Sequence, residues 1–226
     1  MTTQEFSNEF DVLYNNIMSN NAPGLDEFEK SICLTLAQEA LVTELYNSFE
    51  NNEAASRYLN NLVTNYTVVP DLNNASATGI PTYSVKLPKE LMYIVYENAF
   101  IDDNGEYRAH ASEKKTDISV VTLDSLSRIY DNPFKGPSNK RTLRINSGND
   151  NIELITMEDK AVTKYNAKYI RRPNPIILTD LDSIDSEISI NGITSQTECE
   201  LDSTLHIQIL TNAVTLAKQA FVNNTR

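Results

Sequence analysis

Residues 169–181 read YIRRPNPIILTDL. Two arginines stand side by side, two prolines follow with one residue between them, and then comes an apolar run. Before it lies VTKYNAKYI (162–170), where Lys164, Asn166 and Lys168 alternate with Tyr165, Ala167 and Tyr169. That alternation predicts a strand with a basic outer face and an aromatic inner one. Pro173 and Pro175 lack backbone N–H groups and favour an extended connector over a central strand. The stretch thus reads as a strand end turning into a proline-stiffened arm. Immediately beyond it the chain turns acidic, with Asp180, Asp182 and Asp185.

Working outward, the rest of the chain divides by pattern. In TQEFSNEFDVLYNNIM, Phe6, Phe10, Leu13 and Ile17 make one helical stripe, and Thr2 with Glu5 fits a capping box. NNAPG (20–24) ends that helix. A second helix is expected from Asp26, with Glu29 as its box partner, to about Ser48. Its stripe holds Leu25, Phe28, Ile32, Leu36, Ala37, Ala40, Leu41 and Leu45, widened by Cys33, Leu34 and Val42. Such a helix is covered on more than one side. A shorter helix at 53–63 carries Ala55, Leu59 and Leu62. From Tyr66 the chain is rich in β-branched and aromatic residues. Asn104-Gly105 and Asn191-Gly192 are hairpin signals. TLRIN–SGNDN–IELIT (142–156) reads as a hairpin, and 132–141 as a loop. A last helix, capped by Asp202, aligns Leu205, Ile209, Ala213, Leu216 and Ala220.

This order of elements gives an α+β class. The expected architecture is a helical bundle, made by the N-terminal helices and the C-terminal helix, with a β-rich middle. The expected divisions are 1–65, 66–200 with the extended arm, and 201–226.

The 226 residues are 40% hydrophobic, enough for a packed core without staples. The N-terminus has no basic region and no apolar core, so a secretory signal is not expected. No apolar run approaches the roughly 18–20 residues that span a bilayer. Cys33 and Cys199 are far apart, so a disulfide framework is not expected.

The formal charge of −12 is unevenly spread. Residues 1–63 carry −8, 64–134 carry −4, 135–175 carry +5 and 176–226 carry −5. An acidic chain repels DNA at long range, whereas a polarised one can stack on copies of itself.

Motifs for chemistry are sparse. Cys33, Cys199, His110 and His206 lack the short paired spacings of zinc sites. The acidic run 180–185 puts Asp185 and Asn191 where a calcium loop needs Gly and Glu. No nucleophile elbow or phosphate-cradling glycine motif is present. Neither catalysis nor a cofactor is expected. The basic band remains: Lys135, Lys140, Arg141 and Arg144, then Arg171 and Arg172 beside Pro173 and Pro175. These eight are the candidate interface residues, with the arm crossing a neighbouring subunit and its arginines pairing carboxylates. The alternative is a nucleic-acid strip over 135–172, with tyrosines interleaved among the bases.

Four segments together resemble a family of virion structural proteins of tailed phages, the crAss-like head–tail ring proteins. They are DEFEKSICLTLAQEALV (26–42), NPFKGPSNKRTLR with IELI (132–144 and 152–155), KYIRRPNPIIL (168–178) and INGITSQTECELDSTLHIQILTNAVTLA (190–217). The resemblance implies a homo-oligomeric ring, twelvefold to match a portal, that joins capsid to tail. It implies contacts with the portal and neighbouring ring or tail proteins, DNA passing through without specific binding, and no membrane. It further implies a place in the virion neck after assembly in the host cytoplasm. A minor tail or neck role is the alternative within the structural class.

Overall fold

The computed structural model describes residues 1–17, 24–48, 53–73, 79–103, 113–157, 160–185 and 187–224. Its helices are α1 (Thr3–Ile17), α2 (Glu27–Asn47), α3 (Glu53–Leu59), α4 (Leu123–Tyr130) and α5 (His206–Asn224). Its strands are β1 (Val63–Val68), β2 (Asp71–Asn73), β3 (Thr82–Lys86), β4 (Leu91–Asp103), β5 (Lys114–Val120), β6 (Arg141–Gly148), β7 (Asn151–Ile155) and β8 (Lys160–Arg171). The chain forms two compact units, 63–171 and the two terminal segments 1–62 with 172–226. Arg171 and Arg172 fall on opposite sides of that division.

Unit 63–171 is built on one curled, mixed eight-stranded sheet in the order β1-β8-β4-β5-β6-β7-β3-β2. Among the described residues only β5 and β6 pair in parallel, and the connection between them contains α4. Leu126 of α4 packs with Val121, Leu143, Ile145 and Ile155 to bury that crossover. The long β4 pairs with β8 through three register shifts. Such bulges bend a strand and increase its twist. On the inner face Tyr165 and Ala167 of β8 pack with Ala99, Ile101, Val85 and Leu154. The alternation read from the sequence therefore holds, with Tyr165, Ala167 and Tyr169 all buried. The hairpin at 142–156 forms as β6–β7, turning through Asn149 and Asp150, both at positive φ. Asn104-Gly105 lies outside the described residues.

In the other unit both capping boxes form. Thr2 and Glu5 exchange bonds at 2.9 and 3.3 Å, and Asp26 and Glu29 at 3.1 and 2.7 Å. Phe6, Phe10 and Tyr14 are the buried stripe of α1, and α1, α2 and α5 touch one another. Leu205, Ile209 and Ala213 are buried, joined by Leu210, Val214 and Ala217, while Ala220 is exposed.

The expectation of a helical bundle with a β-rich middle is overturned. The dominant element is the single eight-stranded sheet of unit 63–171, curled into a β-rich half-barrel. The physical reason lies on α2, whose broad stripe is covered on more than one side, as expected, but not by helices alone. Its buried residues include Ser31, Thr35 and Gln38, and the chain seated against them is the extended arm 174–178, not a helix. After the arm, 179–205 contains 3-10 turns and isolated bridges. One bridge, Ile190 to Ile193, is closed by Asn191 and Gly192, both at positive φ as a tight hairpin turn requires.

Candidate assembly surfaces

The arm is read by α2 through a ladder of polar side chains. Ser31 Oγ accepts from the Leu178 amide at 3.0 Å, and Thr35 Oγ1 accepts from the Ile176 amide at 3.1 Å. Gln38 Nε2 donates to the Asn174 carbonyl at 2.8 Å. Helix positions three or four apart share a face, and arm positions two apart share an edge. The two periods meet three times in succession, with the chains antiparallel. The odd arm residues face the other way, where Thr197 Oγ1 contacts the Ile177 amide and the Pro175 carbonyl. Pro173 and Pro175, both buried, occupy positions where the ladder needs no N–H. Ser31, Thr35 and Gln38 were missed in the sequence. Their signal was present: three polar residues at i, i+4 and i+7 on an otherwise apolar face.

The arginine pair is placed at the arm's root. Arg171, half-buried, ends β8 opposite Leu91 of β4. Arg172 is exposed, with Nε 3.6 Å from Glu39 Oε1 on α2. Glu39 also accepts from Asn191 Nδ2 at 3.3 Å. At this distance and exposure the ion pair contributes little stability.

The other four candidates lie in unit 63–171, and the structure separates them. Arg144 is buried, its Nη1 2.9 Å from Glu97 Oε2. The Tyr165 hydroxyl donates to the same oxygen at 2.8 Å. Burial pushes that hydroxyl's pKa well up, and the Glu97 charge adds to the effect. Arg141 is half-buried and braces a turn by donating from Nη1 to the Phe134 carbonyl at 2.6 Å. Lys135 and Lys140 are exposed. Lys164 lies over the Phe100 ring and Lys115 over Tyr96, so part of the basic face is held against aromatics of its own sheet.

Cys199 Sγ donates to Gln38 Oε1 at 3.2 Å, and burial pushes its pKa up to about 11, unlike a reactive thiolate. His206 bonds the Leu201 carbonyl at 3.1 Å, and His110 lies outside the described residues. In the acidic run, Asp182 accepts from Thr194 and Asp185 from the Glu187 amide. Among the described residues no group of three His, Cys, Asp or Glu could hold a metal. No helix among them is long and apolar enough to cross a membrane.

The fold sorts the charge. Segments 1–62 and 172–226 hold 17 acidic and five basic residues, so the whole −12 sits in one unit. Residues 63–171 hold 14 of each and are formally neutral. An acidic body and a neutral body with a basic loop are two different surfaces, as a head-to-tail contact needs. A profile of phage tail ring protein 3/4 matches residues 1–226. The chain belongs to the phage tail ring protein 3/4 family. It is 39% identical over 227 residues to ring protein 3 of Bacteroides phage crAss001, covering 96% of this chain and 95% of that protein. It is 37% identical over 230 residues to ring protein 4/5 of the same phage, covering 98% and 94%. The family resemblance seen in the sequence thus holds along the full chain.

Proposed function

We propose that this chain is a non-catalytic ring subunit of a crAss-like phage virion that joins the portal to the tail and leaves a passage for DNA. The observation that carries the proposal is the sorting of all the net charge into one of two units, in a member of a ring protein family. A ring needs two unlike, complementary faces on each copy. Lys135, Lys140 and Arg141 supply basic contacts, and Arg171 and Arg172 supply a second set at the arm's root. Arg144, Pro173 and Pro175 serve from beneath, by anchoring β6 and by holding the arm straight. Twelve copies would match a twelvefold portal, the neighbours being the portal and adjoining ring or tail proteins. Assembly takes place in the host cytoplasm. Net acidity keeps transiting DNA from being held.

Electron micrographs of the purified full chain, alone and mixed with the portal of its phage, test this. Closed rings are expected in at least one sample; monomers in both would overturn the proposal. Arg171→Glu with Arg172→Glu tests the arm, and normal rings that still dock the portal would remove it from the joint. Tight DNA binding that weakens steeply with salt would favour a nucleic-acid role instead.

A further inference from the structure

Phe134 is 84% exposed, more than any other large apolar side chain among the described residues. Its position is built, not slack. Asn132 Oδ1 accepts from the Phe134 and Lys135 amides at 2.9 and 3.1 Å. The Gly136 amide donates to the Asn132 carbonyl at 2.7 Å, and Arg141 clamps the Phe134 carbonyl. Gly136 is there because a Cβ would lie 2.5 Å from the Tyr130 carbonyl oxygen and 2.7 Å from that of Asn132. A rigid turn that presents an aromatic ring, followed by the exposed Lys135 and Lys140, has the form of an interface anchor. Large pre-ordered side chains carry much of the binding energy and lose little entropy on docking.

A groove of about 270 Å³ lies along α2, lined by Phe28, Ile32, Leu36 and Ile190 with Glu39 at its edge. Leu36 is 52% exposed. A cavity of roughly 150 Å³ already accommodates a benzene ring. The segment leading to Ile190 carries Asp182, Asp185 and Glu187, all exposed. Glu39 is the one carboxylate among the groove's lining residues, opposite in sign to the loop's lysines, and the groove belongs to the −12 unit.

We infer that the Phe134 turn of one copy docks in the Phe28–Ile32–Leu36 groove of the next, with Lys135 and Lys140 drawn to Glu39 and the acidic unit that carries the groove. This occupant rests on the ring proposal above, since a second copy is what supplies the turn. The contact is heterologous, so each copy offers one turn and one groove, and the chain of contacts can close.

The test places p-benzoylphenylalanine at 134 in the full chain, mixes light and isotopically heavy copies, irradiates, and maps the cross-linked peptides. Expected are light–heavy links from 134 to peptides covering 28–39 or 189–191. Phe134→Ala should weaken self-association by roughly 30-fold, with an unchanged melting temperature because the side chain is exposed. Rings without those links, or rings of Phe134→Ala as tight as the parent's, overturn the inference and leave the ring proposal standing. The links without closed rings support the contact and count against the ring. Links confined to single chains, or no assembly with no links, overturn the contact.

Discussion

Thr35 Oγ1 lies 3.1 Å from the amide nitrogen of Ile176 and 3.5 Å from its carbonyl oxygen, so one hydroxyl serves both polar groups of a buried residue 141 positions away. A strand in a sheet would satisfy those groups through a neighbour's backbone. Here a helix side chain does so on the α2 side, while on the other side Ile177 pairs its backbone with Thr197 in an isolated antiparallel bridge. Backbone groups buried without partners are costly, so the ladder is a condition for burying the arm.

Thr35→Val keeps the shape and removes the hydroxyl. The Ile176 amide then loses its acceptor, and a loss of about 1–3 kcal/mol is expected. Thr35→Ser should retain most of the stability. Denaturant midpoints for the two variants check this, and equal midpoints would mean the ladder carries no weight.

Arg144 and Glu97 have side chains only 10% and 12% exposed. Removing one partner strands the other's charge, with an expected cost of about 3–5 kcal/mol for Arg144→Met or for Glu97→Gln. Combining the two should cost well under the sum, since no unpaired charge is left. A thermodynamic double-mutant cycle reads the coupling, and strict additivity would contradict it.

Gly136→Ala puts a methyl group against three backbone carbonyls that cannot swing away, those of Ile129, Tyr130 and Asn132. Overpacking of this kind costs about 1–3 kcal/mol. Hydrogen exchange should speed up across 129–141 more than in the β6–β7 hairpin. Uniform protection in variant and parent would show that the turn yields easily.

His206 is buried against the Phe6 ring, with centroids 5.2 Å apart. Burial lowers its pKa below the ordinary 6.5, a shift the Leu201 carbonyl partly opposes. The unfolded chain therefore takes the proton first as pH falls. Its contribution to stability is present above about 6.5 and is lost as pH drops through the lower folded value. Melting curves of the parent and His206→Gln should draw together from pH 7.5 to 5. A constant gap would show that the ring is not buried as a neutral imidazole.

Local pattern carried much of this fold. The capping boxes at Thr2 and Asp26, the β6–β7 hairpin and the inward tyrosines of β8 were all legible, because each depends on residues a few positions apart. The family was legible too, from four segments in order. Of the candidate interface residues, charge and spacing identified the basic loop and the arm. They could not tell Lys135, which is exposed, from Arg144, which is buried on Glu97 47 residues upstream.

What the sequence determined by itself is the set of short-range structures and the total charge of −12. Tertiary structure alone decided that one mixed sheet would organise 63–171, that an extended arm would cover α2, and that the whole net charge would collect in one unit. The reason is distance along the chain. A helix stripe records that a face is buried without recording by what, and the Thr35–Ile176 bond spans 141 positions. Only closure of such long loops brings partner to partner, and no local period encodes it.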